Sequence, residues 1–269
     1  MAVVNLDLYS YQLAMDTQVS MILPERRGVP HADREGKPYP VLYLLHGHGR
    51  DHTSWLRQSR IESYLKDTDL IVVMPDTRRG CYVDGLGSHN YGTYLTEELP
   101  QILQNWFHIS PRREDTYIAG LSMGGYGTLH AALSHPEKYA AAAAMSAAIR
   151  MDKMDLPPDA ADRGLAIPPL EEVDRNFRCI FGPLEDYENT EFSLKKLAKK
   201  LHGSDGPKPR ILQICGDNDP LLGANDDFAA FVKRECPSLD HTYEVSPGIH
   251  DFDYWDREIV NVLKFFGLL

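Results

Sequence analysis

The sequence predicts an α/β protein built on a doubly wound, mainly parallel sheet, and three observations carry that prediction. Short apolar runs without alternation recur along the chain, helical patterns separate them, and a pair of alternating segments precedes them all. Unbroken apolar runs are what strands buried on both faces of a parallel sheet look like. Their regular exchange with helices implies crossover connections.

Residues 3–9 and 17–23 alternate apolar and polar side chains and read as an antiparallel pair at a sheet edge. The stretch from Pro24 to Pro40 is rich in Pro, Gly and charge, and reads as a loop. Val41–Leu45, Leu70–Met74, Tyr117–Ala119, Ala140–Met145, Ile211–Ile214 and Thr242–Val245 are the expected core strands, buried on both faces. The alanine run favours a helix by propensity, but its place in the alternation assigns it to a strand. Trp55, Ile61, Tyr64 and Leu65 mark one helix, and Tyr94 to Trp106 another. Tyr126–Leu133, Phe192–Leu201, Asp227–Arg234 and Ile259–Phe266 supply the rest. Residues 150–190, with Pro157-Pro158 and Pro168-Pro169, break the rhythm and predict a small cap inserted over the carboxyl edge of the sheet. The expected organisation is one domain over 1–269.

Composition narrows the function. Asp and Glu number 39 against 28 Lys and Arg, a formal charge of -11, which argues against nucleic acid and anionic membranes as partners. A small neutral substrate fits better, and a homo-oligomer is compatible with the sequence. Cys81, Cys179, Cys215 and Cys236 are scattered, with no CxxC pair, and read as free thiols. Met1–Ser10 lacks the basic and apolar regions of an export signal, and no window approaches the roughly 18 apolar residues of a membrane span. The chain therefore reads as cytoplasmic, although one trimmed of its export signal would look the same.

Gly120-Leu121-Ser122-Met123-Gly124 is a G-x-S-x-G motif after a strand and before a helix. A serine on so tight a turn stands clear of the sheet edge, and the glycines keep strand and helix from colliding. Ser122 is the expected nucleophile. His46-Gly47-His48-Gly49 follows the first core strand, where this arrangement places one backbone donor of an oxyanion hole. The backbone N–H groups of Met123 and His48 are the expected donors. His46, His48 and His52 also have a spacing that metals use. No acidic zinc motif lies near them and a metal would leave the glycines unexplained, so neither a metal nor any other cofactor is expected.

Asp219 lies in the polar turn after Ile211–Ile214 and is the expected acid, because Gly216 and two further residues let the chain turn toward the site. Asp217 is the alternative. His250, in the loop after the last strand, is the expected base, and the order Ser…Asp…His is that of an α/β-hydrolase. His241, at the start of the preceding strand, should face the wrong end of the sheet.

These pieces together resemble the esterase D-like family, especially its tributyrin esterase-like branch. The resemblance rests on Leu45-His46-Gly47 with Trp55, Gly120-Leu121-Ser122-Met123-Gly124-Gly125 and Cys215-Gly216-x-x-Asp219. It rests also on Gly248-x-His250-Asp251-Phe252-x-Tyr254-Trp255, and on Tyr94-x-x-x-Glu98-Leu99-Pro100. It implies a serine carboxylesterase acting on small esters: short acyl, acetylated sugar or feruloyl-type. Formylglutathione hydrolases belong to the same broad family, but carry Ser-Gly-Leu-Thr-Cys where this chain has His46-Gly47-His48-Gly49-Arg50. The segment from Cys81 to Tyr94 is the expected substrate loop, with Trp55, Asp84 and Tyr91 as candidate contacts. Three alternatives remain: an acyltransferase using an alcohol acceptor, an S-formylglutathione hydrolase-like thioesterase, and a non-catalytic carbohydrate-binding protein on the same fold.

Overall fold

The structure, a computed structural model, describes residues 1–25, 36–149 and 170–269. Its strands are β1 (Ala2–Ser10), β2 (Met15–Leu23), β3 (Val41–Leu45), β4 (Ile71–Pro75), β5 (Thr116–Leu121), β6 (Ala141–Met145), β7 (Arg210–Gly216) and β8 (His241–Ser246). They form one eight-stranded sheet in the order β1-β2-β4-β3-β5-β6-β7-β8. β1 pairs antiparallel with β2, and β2 antiparallel with β4; β3 to β8 run parallel.

The pleat explains the unbroken apolar runs. Val41, Tyr43 and Leu45 point into one core, while Leu42 and Leu44 point into the other. The first core is covered by α4 (Leu99–Trp106), α5 (Met123–Ser134), α6 (Leu170–Phe181), α7 (Leu194–His202) and α8 (Leu222–Glu235). The second is covered by α1 (Ser54–Gln58), α2 (Ile61–Tyr64) and α9 (Phe252–Phe266). The alanine run is the strand β6, in register with β5 from Tyr117↔Ala141 to Leu121↔Met145. Pairing on both sides overrides its helical propensity.

Three elements differ from the sequence reading. The helix expected from Trp55 to Leu65 is two, because Ser59 turns extended and Asp256 of α9 takes Arg60: its carboxylate accepts from the Arg60 backbone N–H (2.7 Å) and from Nε (2.9 Å). The helix running into Trp106 starts as α3 (Tyr91–Thr93) and widens to a π turn over Tyr94–Glu98 before α4. Pro100 has no N–H to offer the Thr96 carbonyl, which accepts from Lys138 Nζ instead (2.8 Å). Thr242–Val245 is not buried on both faces. β8 is an edge strand, and Thr242, Glu244 and Val245 are exposed.

Chain direction makes β3 and β5 neighbours whose connections leave toward opposite ends of the sheet: β3 leads to β4 on one side, β5 to β6 on the other. Beyond their carboxyl ends lies the crevice where doubly wound sheets hold ligands. α6 and the 3₁₀ turn at Leu184–Asn189 are the described part of the expected cap; residues 150–169 lie outside the described residues. Among the described residues no helix is long and apolar enough to cross a membrane. All four cysteines are free thiols, Cys179 exposed and the others buried.

Burial also leaves a titration signature. His130 on α5 packs between Tyr126 and Phe192, and burial, then the charge of His135, lowers its pKa to about 4. Burial lowers that of His241, whose Nε2 meets Gln213 Oε1, also to about 4. Both rings have an ordinary value of 6.5, so between that pH and about 4 the unfolded chain binds more protons than the folded one. Stability must therefore fall as pH drops through that window. Urea unfolding between about pH 7 and 4.5 should show this slope, reduced in His130→Gln. An unchanged slope in the variant would remove His130 from the account.

Candidate active site

Between the end of β5 at Leu121 and the start of α5 at Met123 the chain has one residue in which to reverse. Ser122 does so at φ 55°, ψ −117°, a left-handed conformation strained for a side-chain-bearing residue. Three hydrogen bonds hold it there: its N–H donates to the Met145 carbonyl (2.9 Å), and its carbonyl accepts from the N–H groups of Tyr126 and Ala148 (3.0 Å each). The turn also depends on what is missing at Gly124, where a Cβ would lie 2.6 Å from the His46 carbonyl oxygen and 2.7 Å from that of Leu45. The loop after β3 thus rests directly on the start of α5. At Gly47 a Cβ would meet Leu121 Cδ1 at 2.7 Å and Ser122 Cβ at 3.5 Å, so this loop passes beside the serine.

His250 Nε2 lies 3.0 Å from Ser122 Oγ, and its Nδ1 lies 2.9 Å from Asp219 Oδ2. A carboxylate only accepts, so Nδ1 carries the proton and Nε2 presents a lone pair to the serine hydroxyl. The Asp219 side chain is fully buried. Burial alone would raise its pKa, but the charge and hydrogen bond of His250, the Leu221 N–H (2.8 Å) and the Ser146 hydroxyl together lower it. Ser146 also accepts from Trp255 Nε1 at 3.0 Å, and the edge of Trp255 meets the His250 ring at 4.9 Å. Asp217, the alternative acid, is exposed and faces elsewhere. Its Oδ1 accepts from the Gly248 N–H (3.1 Å) and steadies the loop that brings His250 in.

The Met123 N–H is the first of α5 and has no acceptor within the helix. The loop carrying His48 is fixed from several sides. Tyr82 donates its hydroxyl to the His46 carbonyl (3.0 Å), Trp55 Nε1 donates to the Leu45 carbonyl (3.1 Å), and the Thr77 N–H donates to His46 Nε2 (3.2 Å). The three histidines considered as metal ligands are each engaged by protein groups: His46 as above, His48 by Arg79 Nε (3.1 Å) and His52 by the Ser20 hydroxyl (2.7 Å). Among the described residues no three His, Cys, Asp or Glu gather as a metal site. His241 sits at the amino end of β8, opposite the end that leads to His250.

The structure places the three expected substrate contacts in different settings. Trp55 is 1 % exposed, spans the second core against Phe252 and has its indole N–H taken. Tyr91 is 3 % exposed, with its ring against Gly80. Asp84 is exposed, but its carboxylate accepts from both the N–H and the hydroxyl of Thr93 and so folds the loop on itself. Cys81 and Tyr82 take φ of 53° and 62°, and both side chains are buried in the first core. Part of the expected substrate loop is thus a buttress for the loop after β3. The sequence reading missed Ser146 and Arg79. A serine ending a run of small apolar residues was the available signal for Ser146; nothing in the sequence joins Arg79 to His48.

The fold and this arrangement are those of the α/β-hydrolase serine hydrolases that act on carboxylic esters. Residues 10–266 match the family described as putative esterase, and the chain belongs to it. It is 29% identical over 268 residues to an acetyl esterase of Caldicellulosiruptor saccharolyticus, covering 98% of this chain and 97% of that one. Among solved structures it is similar to the fluorophosphonate-binding serine hydrolase FphF of Staphylococcus aureus (31% identity, 98% of each chain, TM-score 0.83). It is similar also to S-formylglutathione hydrolase FrmB of the same organism (30% identity, 98% of each chain, TM-score 0.82).

Gly124→Ala tests how far the site depends on the contact between α5 and the loop after β3. The added methyl meets backbone oxygens that cannot rotate away, so a loss of about 1–3 kcal/mol is expected on denaturation, with reduced aryl acetate turnover. Wild-type stability and turnover in this variant would show that the loop is held without that contact.

Proposed function

We propose that the chain hydrolyses small carboxylic esters through an acyl-enzyme on Ser122. The observation that carries this reading is His250 standing within hydrogen-bonding distance of both Ser122 and Asp219. His250 takes the Ser122 proton as Oγ attacks the ester carbonyl, and Asp219 stabilises the imidazolium that results. The Met123 and His48 N–H groups receive the oxyanion. Collapse of the tetrahedral intermediate expels the alcohol, which takes its proton from His250. Water, deprotonated by the same ring, then releases the carboxylic acid and frees the serine.

Short acyl esters are the first expected substrates, on the likeness to the acetyl esterase. A thioester is the second reading, favoured by the likeness to FrmB along the whole chain; the same acyl-enzyme forms and a thiol leaves. α6, in the described part of the expected 150–190 insertion, is read as a cap on one α/β domain, because it packs over the loops after β3 and β4. Free thiols, three of them buried, favour a reducing cytoplasmic setting.

p-Nitrophenyl esters of graded acyl length, acetylated xylan fragments, methyl ferulate and S-formylglutathione, assayed side by side, rank the substrate classes. Ser122→Ala should lower turnover by about 10⁴–10⁶-fold, and Asp219→Asn by about 10³–10⁴-fold with the fold intact. Undiminished ester turnover in Ser122→Ala would overturn the mechanism.

A further inference from the structure

Arg79, in the turn after β4, joins segments that the sequence keeps far apart. Its Nε donates to His48 Nε2 at 3.1 Å, and one terminal nitrogen donates to the Glu172 backbone carbonyl of α6 at 3.3 Å. Asn176, also on α6, returns a hydrogen bond to the Arg79 carbonyl (3.0 Å), and Phe177 sets its ring edge-on to His48 at 6.1 Å. The ion pair of Arg79 with Glu172, at 3.7 Å between half-exposed side chains, adds little by itself. The contact with His48 is of another kind: a permanently charged guanidinium donates to a neutral ring nitrogen in a partly buried place. Burial, then the charges of Arg79 and His46, lower the His48 pKa to about 4, so at neutral pH the ring keeps the lone pair that Arg79 needs.

We propose that Arg79 is a positioning residue for ester hydrolysis: by holding the His48 ring against α6, it fixes the peptide whose N–H faces the oxyanion. The inference rests on the reading of His48 as an oxyanion donor. It requires no contact between Arg79 and substrate. His48 side chain and backbone thus do different work, the ring as a handle and the N–H at the reacting centre.

The test is a double-mutant cycle of Arg79→Met and His48→Ala, the second of which keeps the backbone N–H. Aryl acetate kcat and KM are measured together with the affinity of a boronic acid whose tetrahedral serine adduct occupies the oxyanion hole. Arg79→Met should lower kcat about tenfold, leave KM within about twofold and weaken the boronate by the same factor as kcat. In the His48→Ala background the same change should cost less than about twofold, because the handle is already gone. Arg79→Lys, which keeps a donor for His48, should recover most of kcat and guards against a misfolded Met variant. Multiplying effects in the double variant, or a rise in KM with kcat unchanged, would overturn the proposal. Ser122→Ala run in parallel keeps the two failures distinct: turnover surviving there removes the ester reading itself, whatever the cycle gives.

Discussion

A single residue separates the buried strand β5 from the buried helix α5, and the conformation that Ser122 must adopt in that space organises everything around it. A left-handed serine costs about 1–3 kcal/mol and persists only where its surroundings over-determine it. Here Met145, Tyr126 and Ala148 bind its backbone. The helix can begin so abruptly because Gly124 lets the backbone of Leu45 and His46 lie against it. The same contact aligns the loop after β3 with the first free N–H groups of α5. The proposed nucleophile and the proposed oxyanion donors are therefore products of one packing event, and neither can be moved without the other.

The charge on Asp219 obeys a second constraint. A fully buried carboxylate is unstable unless its lone pairs are occupied. His250, the Leu221 N–H and the Ser146 hydroxyl occupy them, and together they outweigh the burial. Asp217, two residues earlier, reaches solvent and serves the loop instead. Trp255 completes the cage by touching His250 and Ser146 at once, so the imidazole is constrained by an apolar wall as well as by its hydrogen bonds.

Much of this was legible in the sequence because it depends on local pattern. The unbroken apolar runs marked the inner strands, and the glycines around Ser122 marked the turn. Asp219 and His250 could be placed because each follows a strand whose carboxyl end faces the site. What the sequence hid depends on partners distant along the chain. Trp55 and Tyr91 carry both apolar surface and a polar tip, which suits a substrate pocket and a core equally; only their packing against Phe252 and Gly80 decides. The break between α1 and α2 comes from Asp256, which lies in the last helix. For β8 the signal was present: Thr242 and Glu244 interrupt its apolar residues, a polarity that suits a strand at the sheet edge.

The order of the strands has a consequence for synthesis. Ser122 and the loop after β3 lie in the first half of the chain, whereas His250 follows β8, which pairs on the far edge of the sheet. A nascent chain can complete the strained turn and its helix while the residues that would activate the serine are still unmade. Until the chain beyond β8 is made, the Ser122 hydroxyl has no imidazole beside it, and on the proposed mechanism a growing polypeptide carries no acylating centre into the crowded exit of the ribosome. On that reading, reactivity arrives only when the last edge strand has paired.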